Sequence, residues 1–152
     1  MVNRSKAWGT LNETATVKYL RLNGFPGADR QPLRGNRDAG DIALCPGLVM
    51  EVKAHKSAGT GQPGHAQLAE WMAQAEAERV NAGAQLCPLV VKRAGTTDVG
   101  RWFAYVTAGA CAQLMGSDVH PPDPGAAVSM SVGSLVALLR FNGFGSALEV
   151  AS

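Results

Sequence analysis

The residues of this chain best suited to chemistry lie in two short segments, Gly40-Asp41-Ile42 and Met50-Glu51-Val52-Lys53. Side chains alternate along a strand, so Glu51 and Lys53 share one side while Met50, Val52 and Ala54 take the other. Two charged groups on an otherwise apolar strand are either a solvated pair at its exposed end or part of a site. The position of Asp41 bears on that choice through the register of the hairpin. A two-residue Pro46-Gly47 loop pairs Cys45 with Leu48 and leaves Asp41 opposite Val52, on the wrong side. A three-residue loop, Cys45-Pro46-Gly47, pairs Leu44 with Leu48 and sets Asp41 opposite Glu51. Glycine at the end of such a loop, with proline before it, favours the second register. Opposed carboxylates repel, and a divalent cation between them removes that cost. Mg²⁺ takes hard oxygen ligands of this kind, completed by water and phosphate. It activates water and offsets charge on a phosphate under attack. Lys53 is placed to orient the water and to stabilise negative charge as it develops. The chemistry open to such a site is metal-assisted hydrolysis of a phosphate ester; a solvated strand-edge pair of Glu51 and Lys53 is the other reading.

Other polar residues admit two readings each. Thr10-Leu11-Asn12-Glu13 fits a capping box, in which Glu13 bonds back to the start of a helix. Glu13 also shares a helical face with Val17 and Leu20, from which a carboxylate can reach the edge of a sheet. Arg34, Arg37 and Lys56 bracket the candidate site in sequence and suit phosphate contact or an ordinary solvated loop. Lys6 is a further candidate for phosphate contact. Lys92 interrupts the apolar run Leu89-Val90-Val91 and either faces the site or ends a strand. Gln67 and Gln74 share one side of a helix and read as solvated. The chain has no phosphate-binding P-loop, no GxGxxG after a strand and no GxSxG, which removes the common nucleotide-binding and serine-hydrolase readings.

The surrounding sequence sets the frame for these residues. The chain has 152 residues, 46% hydrophobic and 17% charged, the balance of a globular protein with one domain over residues 1–152. Net charge is only +2, yet residues 1–60 carry nine Lys or Arg against five acids, a balance of +4. Such a basic opening segment suits a polyanionic partner. Three widely spaced cysteines, Cys45, Cys87 and Cys111, form no CxxC pair, so buried free thiols are expected. The N-terminus has no apolar core of signal-peptide type, and no stretch has the length of a membrane span. A cytoplasmic protein with no membrane partner is the expectation.

Periodicity and turn residues predict a helix over 10–23 and a short strand over 28–34. They predict a hairpin from 40–45 and 48–54, and a second helix over 65–82. Strands over 86–93 and 101–107 follow, then a short helix near 108–115 and a last helix over 131–142. The predicted fold is α/β, a mixed central β-sheet flanked by helices.

A helix bearing Glu13, then a hairpin bearing Asp41 and Glu51-Val52-Lys53, resembles the PD-(D/E)xK nuclease core, with Gly40 in place of the named proline. Gly9-Thr10-x-x-Glu13 is similar to the Gly-Ser-x-x-Glu helix start of archaeal-type Holliday junction resolvases. The run from Leu33 to Ile42 is similar to that of small resolvase-like proteins of actinobacteria and their phages. The resemblance spans residues 5–56. It implies a restriction-endonuclease-like αβββαβ core and a Mg²⁺-dependent, structure-selective DNA endonuclease of the junction-resolvase kind. Mn²⁺ would substitute for Mg²⁺. Asp41, Glu51 and the Val52 carbonyl would hold the metal, Glu13 a second ion or its water, and Lys53 the nucleophile. Cleavage would leave a 3′-hydroxyl and a 5′-phosphate. The implied partners are branched or duplex DNA and a second copy in a homodimer, joined through Leu135, Leu138 and Leu139 or through Trp102-Phe103. A restriction, repair or nicking enzyme on the same core, or a non-catalytic DNA-binding relative, are the alternatives.

Overall fold

In the computed structural model, which describes residues 4–32, 39–54, 59–118 and 126–148, the chain opens with helix α1 (Arg4–Leu22) and strand β1 (Asp29–Arg30). Strands β2 (Ile42–Cys45) and β3 (Leu48–Lys53) form the hairpin, and helix α2 (His65–Ala82) follows. Next come β4 (Leu89–Val91), β5 (Phe103–Thr107) and the short helix α3 (Ala108–Leu114). Strand β6 (Ala127–Ser131) and helix α4 (Val132–Phe141) complete the order. One six-stranded sheet runs β1-β2-β3-β4-β5-β6. Only the β3–β4 pair is parallel. A parallel neighbour needs a crossover, and α2 supplies it. The fold is the mixed α/β sheet with flanking helices that periodicity predicts.

The apolar residues sort onto two sides of the sheet. Ile42, Met50, Val52, Val90 and Ala104 join one core with Val17 and Leu20 of α1 and Leu135 and Leu139 of α4. Leu89, Val91 and Tyr105 face the other way, where Leu68, Trp71 and Met72 of α2 cover them. Glu51 and Lys53 pair with Leu89 and Val91, so they lie on the α2 side. The burial of Leu135, Leu139 and Trp102 in the core corrects the expectation that they form a dimer contact: a side chain already packed inside one protomer has no surface to offer another.

The hairpin reaches the useful register by a route the sequence did not favour. Cys45 pairs with Leu48 across a two-residue Pro46-Gly47 turn, and a bulge between Ala43 and Cys45 restores the pairs Ala43 with Val49 and Ile42 with Met50. Proline fixes φ near −65° and so forbids the primed turns, which need positive φ at that position. Gly47 takes φ +83° in the second place, as the type II form of a turn led by proline requires. Such a turn fits the twist of the strands poorly, and the adjoining bulge takes up the mismatch.

Three other expectations change. Helix α1 starts at Arg4, well before Thr10, so Glu13 lies in the helix interior and the capping-box reading is overturned. Strand β6 was missing from the predicted elements. Only Val128 and Met130 turn inward, each half-buried between exposed Ala127, Ser129 and Ser131, so the segment offers just two apolar positions. The cysteines are free but half-buried rather than buried.

Candidate active site

Asp41 immediately precedes β2, and its backbone depends on Gly40. Gly40 has φ +93°, a conformation closed to proline and strained for any side chain. From there the Asp41 amide donates to the Met50 carbonyl at 3.0 Å, and the Asp41 carboxylate Oδ2 accepts the Val52 N–H at 2.8 Å. Asp41 is thus fastened to β3 on both sides of Glu51. The amides of Val49 and Glu51 donate toward β4, to Leu86 and Pro88. The intervening main-chain groups of Met50 and Val52 therefore face the Asp41 side, and the Val52 carbonyl with them.

Glu51 is 2% exposed. Its Oε1 accepts Lys53 Nζ at 2.9 Å and Gln74 Nε2 at 3.4 Å. Its Oε2 is buried and meets no hydrogen-bond donor among the described residues, a costly state for a carboxylate oxygen. Burial, then the charge of Glu51, raises Asp41 to about 8, against the pull of the Val52 N–H. Burial, then contact with the Glu78 carboxyl, raises Glu51 to about 8 as well, with Lys53 opposing. Burial works against the Lys53 ammonium, but Glu51, Asp41 and Glu78 outweigh it and hold its pKa above the usual lysine value.

These donors fit a hard divalent cation: two neighbouring carboxylates that resist ionising by themselves, an orphaned buried oxygen and a main-chain carbonyl. Among the described residues, no three acid, histidine or cysteine side chains converge as a complete cage. A cation here would draw its remaining ligands from water and substrate phosphate, the usual habit of Mg²⁺.

Glu13 is brought near but differently engaged. With Asp41, Lys6, Arg30 and Gln31 it lines a cavity of about 520 Å³. Its Oε2 accepts Arg30 Nε at 2.9 Å, so α1 delivers the acid to the Asp41 side already paired with a cationic side chain. Lys6 is exposed on the rim. The Lys92 amide donates to the Lys53 carbonyl at 3.0 Å, and its ammonium sits 4.7 Å from the centre of the Trp8 ring. The other candidate phosphate contacts, Arg34, Arg37 and Lys56, lie outside the described residues.

Sequence reasoning missed Glu78 and misread Gln74. Glu78 is 2% exposed and is joined to Gln74, whose Nε2 donates to Glu78 Oε1 at 3.1 Å. The signal was present. Leu68, Trp71, Ala75 and Glu78 are spaced i, i+3, i+7, i+10, so Glu78 stands on the apolar stripe of α2. Gln74 is not solvated but bridges two buried carboxyls. No protein-family model, curated protein or solved structure matches the chain.

Proposed function

We propose that this chain is a divalent-cation-dependent DNA endonuclease of the PD-(D/E)xK kind, with a four-way junction as its preferred substrate. The observation that carries the proposal is Asp41 fastened across β3 around Glu51, next to a buried carboxylate oxygen that meets no donor among the described residues and an ammonium 2.9 Å from its sister oxygen. The α1-β1-β2-β3-α2-β4 order also agrees with the core that the resemblance implies.

Asp41, Glu51 and the Val52 carbonyl would hold Mg²⁺ or Mn²⁺. The ion, when bound, lowers the pKa of water and offsets charge on the scissile phosphate. Lys53 keeps its proton on Nζ, held there by Glu51 and Asp41, and so offers a fixed donor to the attacking water and to the phosphate oxygens. Glu13, across the cavity from Asp41, orients water from the α1 side when Arg30 turns to the DNA backbone. Lys6 and Lys92 add cationic contacts near the site, and Arg34, Arg37 and Lys56 extend the basic set in sequence. Such contacts supply affinity without base preference, as a shape-selective enzyme requires. Cutting both strands of a junction symmetrically calls for a twofold dimer.

The test is cleavage of a synthetic four-way junction and of linear duplex of the same sequence, with and without Mg²⁺. Paired symmetric nicks in the junction, far faster than any duplex cut, are expected, and Asp41→Asn should bind the junction without cutting it. Sequence-specific duplex cuts would move the assignment to a restriction or nicking enzyme. Full activity in Asp41→Asn would remove the metal-site argument. A stable monomer in sedimentation that still resolves junctions would remove the dimer.

A further inference from the structure

Helix α2 sets two polar side chains, the half-buried Gln74 and the buried Glu78, above Glu51 where its stripe of Leu68, Trp71 and Ala75 would otherwise continue. The Gln74 amide has two N–H bonds, and it directs them to two acids: Glu51 Oε1 at 3.4 Å and Glu78 Oε1 at 3.1 Å. The Glu51 contact is the weaker one, so the bond to Glu78 keeps the amide turned toward Glu51. Lys53 Nζ meets the same Oε1 at 2.9 Å. Both of these donors, from Gln74 and Lys53, therefore fall on Oε1, Oε2 meets no donor among the described residues, and the Glu78 carboxyl touches the same Glu51 carboxyl.

That asymmetry has a use. A glutamate side chain has several soft torsions, and unconstrained it presents either oxygen and swings between rotamers. Pinned through Oε1, Glu51 can present only Oε2. A second buried acid beside Glu51 is a poor choice for stability alone, since apolar replacements of buried charged groups are often neutral or stabilising. We infer that Gln74 and Glu78 are positioning residues, which hold Glu51 by Oε1 so that Oε2 is presented to a cation shared with Asp41. The inference rests on the cation site proposed above. It concerns residues of α2 that the motif of Asp41, Glu51 and Lys53 does not contain.

The experiment is Mn²⁺ binding without DNA, followed by titration calorimetry and by the paramagnetic signal of the free ion, in the whole chain. Gln74→Met keeps length and burial but donates nothing, and should weaken Mn²⁺ binding about tenfold or more, the scale of a lost orienting contact. Glu78→Ala removes the acceptor that fixes the amide and should do the same. Glu78→Gln restores an acceptor oxygen and should recover most of the affinity. Thermal unfolding without metal should show Gln74→Met no less stable than the unaltered protein, which separates positioning from support of the fold. If one variant fails to fold, the other carries the test. Mn²⁺ affinity unchanged in folded Gln74→Met or Glu78→Ala overturns the inference, provided Asp41→Asn abolishes binding. Glu78→Gln as weak as Glu78→Ala also overturns it, because the charge of Glu78 would then matter rather than its hold on Gln74. Binding that survives Asp41→Asn, or none in the unaltered protein, instead removes the cation site itself.

Discussion

At the scale of the residue, the site has two carboxyls that the fold holds against ionising. Asp41 and Glu51 are each raised to about 8, whereas in an unfolded chain they titrate near about 4. A carboxyl raised in the fold binds its proton more tightly there. Its stabilising contribution is complete below the unfolded value and is lost as pH climbs through the folded one. The metal-free protein should therefore unfold at lower urea concentration at about pH 8.5 than at about pH 6. Mg²⁺ should raise the midpoint more at the higher pH, since the cation takes the place of the protons. A midpoint flat across that range, or an equal Mg²⁺ shift at both ends, would count against the electrostatics described here. Lys53→Ala should slow cleavage by about 10²–10³-fold, the scale of losing one donor to developing charge, while leaving Mn²⁺ binding in place. Single-turnover rates at saturating metal check this.

At the scale of the element, the hairpin shows what sequence could and could not reveal. Gly40 is required by its φ of +93°, and a Cβ there would meet the Met50 carbonyl and Val49 at 3.4 Å. Gly40→Ala should cost about 1–2 kcal/mol, the price of a left-handed residue with a side chain, read from urea unfolding, and should loosen Mn²⁺ binding as Asp41 shifts. An unchanged unfolding midpoint would contradict the strain. The pairing of Asp41 with the Glu51 region was legible because side-chain alternation and turn residues act locally. The turn itself was misjudged because a bulge can insert at any of several residues, and sequence marks none of them. Helix α2 was legible to its ends, since Leu68, Trp71 and Ala75 give a clear period and Gly83 a clear stop. Its role was not, because a buried glutamate on that stripe has meaning only once Glu51 is seen beneath it. The start of α1 escaped notice because Gly9 and Thr10 mimic a helix boundary that lies within the helix.

At the scale of the whole molecule, binding should follow the uneven charge. Junction affinity should fall steeply with salt, and Lys6→Ala and Lys92→Ala should each reduce the logarithmic salt slope by about one. Filter binding over a range of salt concentrations measures it. An unchanged slope in Lys92→Ala would assign that ammonium to Trp8 alone. Among the described residues no helix is long and apolar enough to cross a membrane. Strand β3 is flanked by β2 and β4 and buried at every residue but Lys53. Backbone deuteration should consequently reach the amides of residues 49–53 last, and those of β1 and β6 far sooner. The acids then ride on the stiffest part of the molecule, and partial opening at its margins leaves the spacing of Asp41 and Glu51 intact. As the proposed nuclease, the molecule can take a different substrate by reshaping its periphery, with no disturbance to the paired acids.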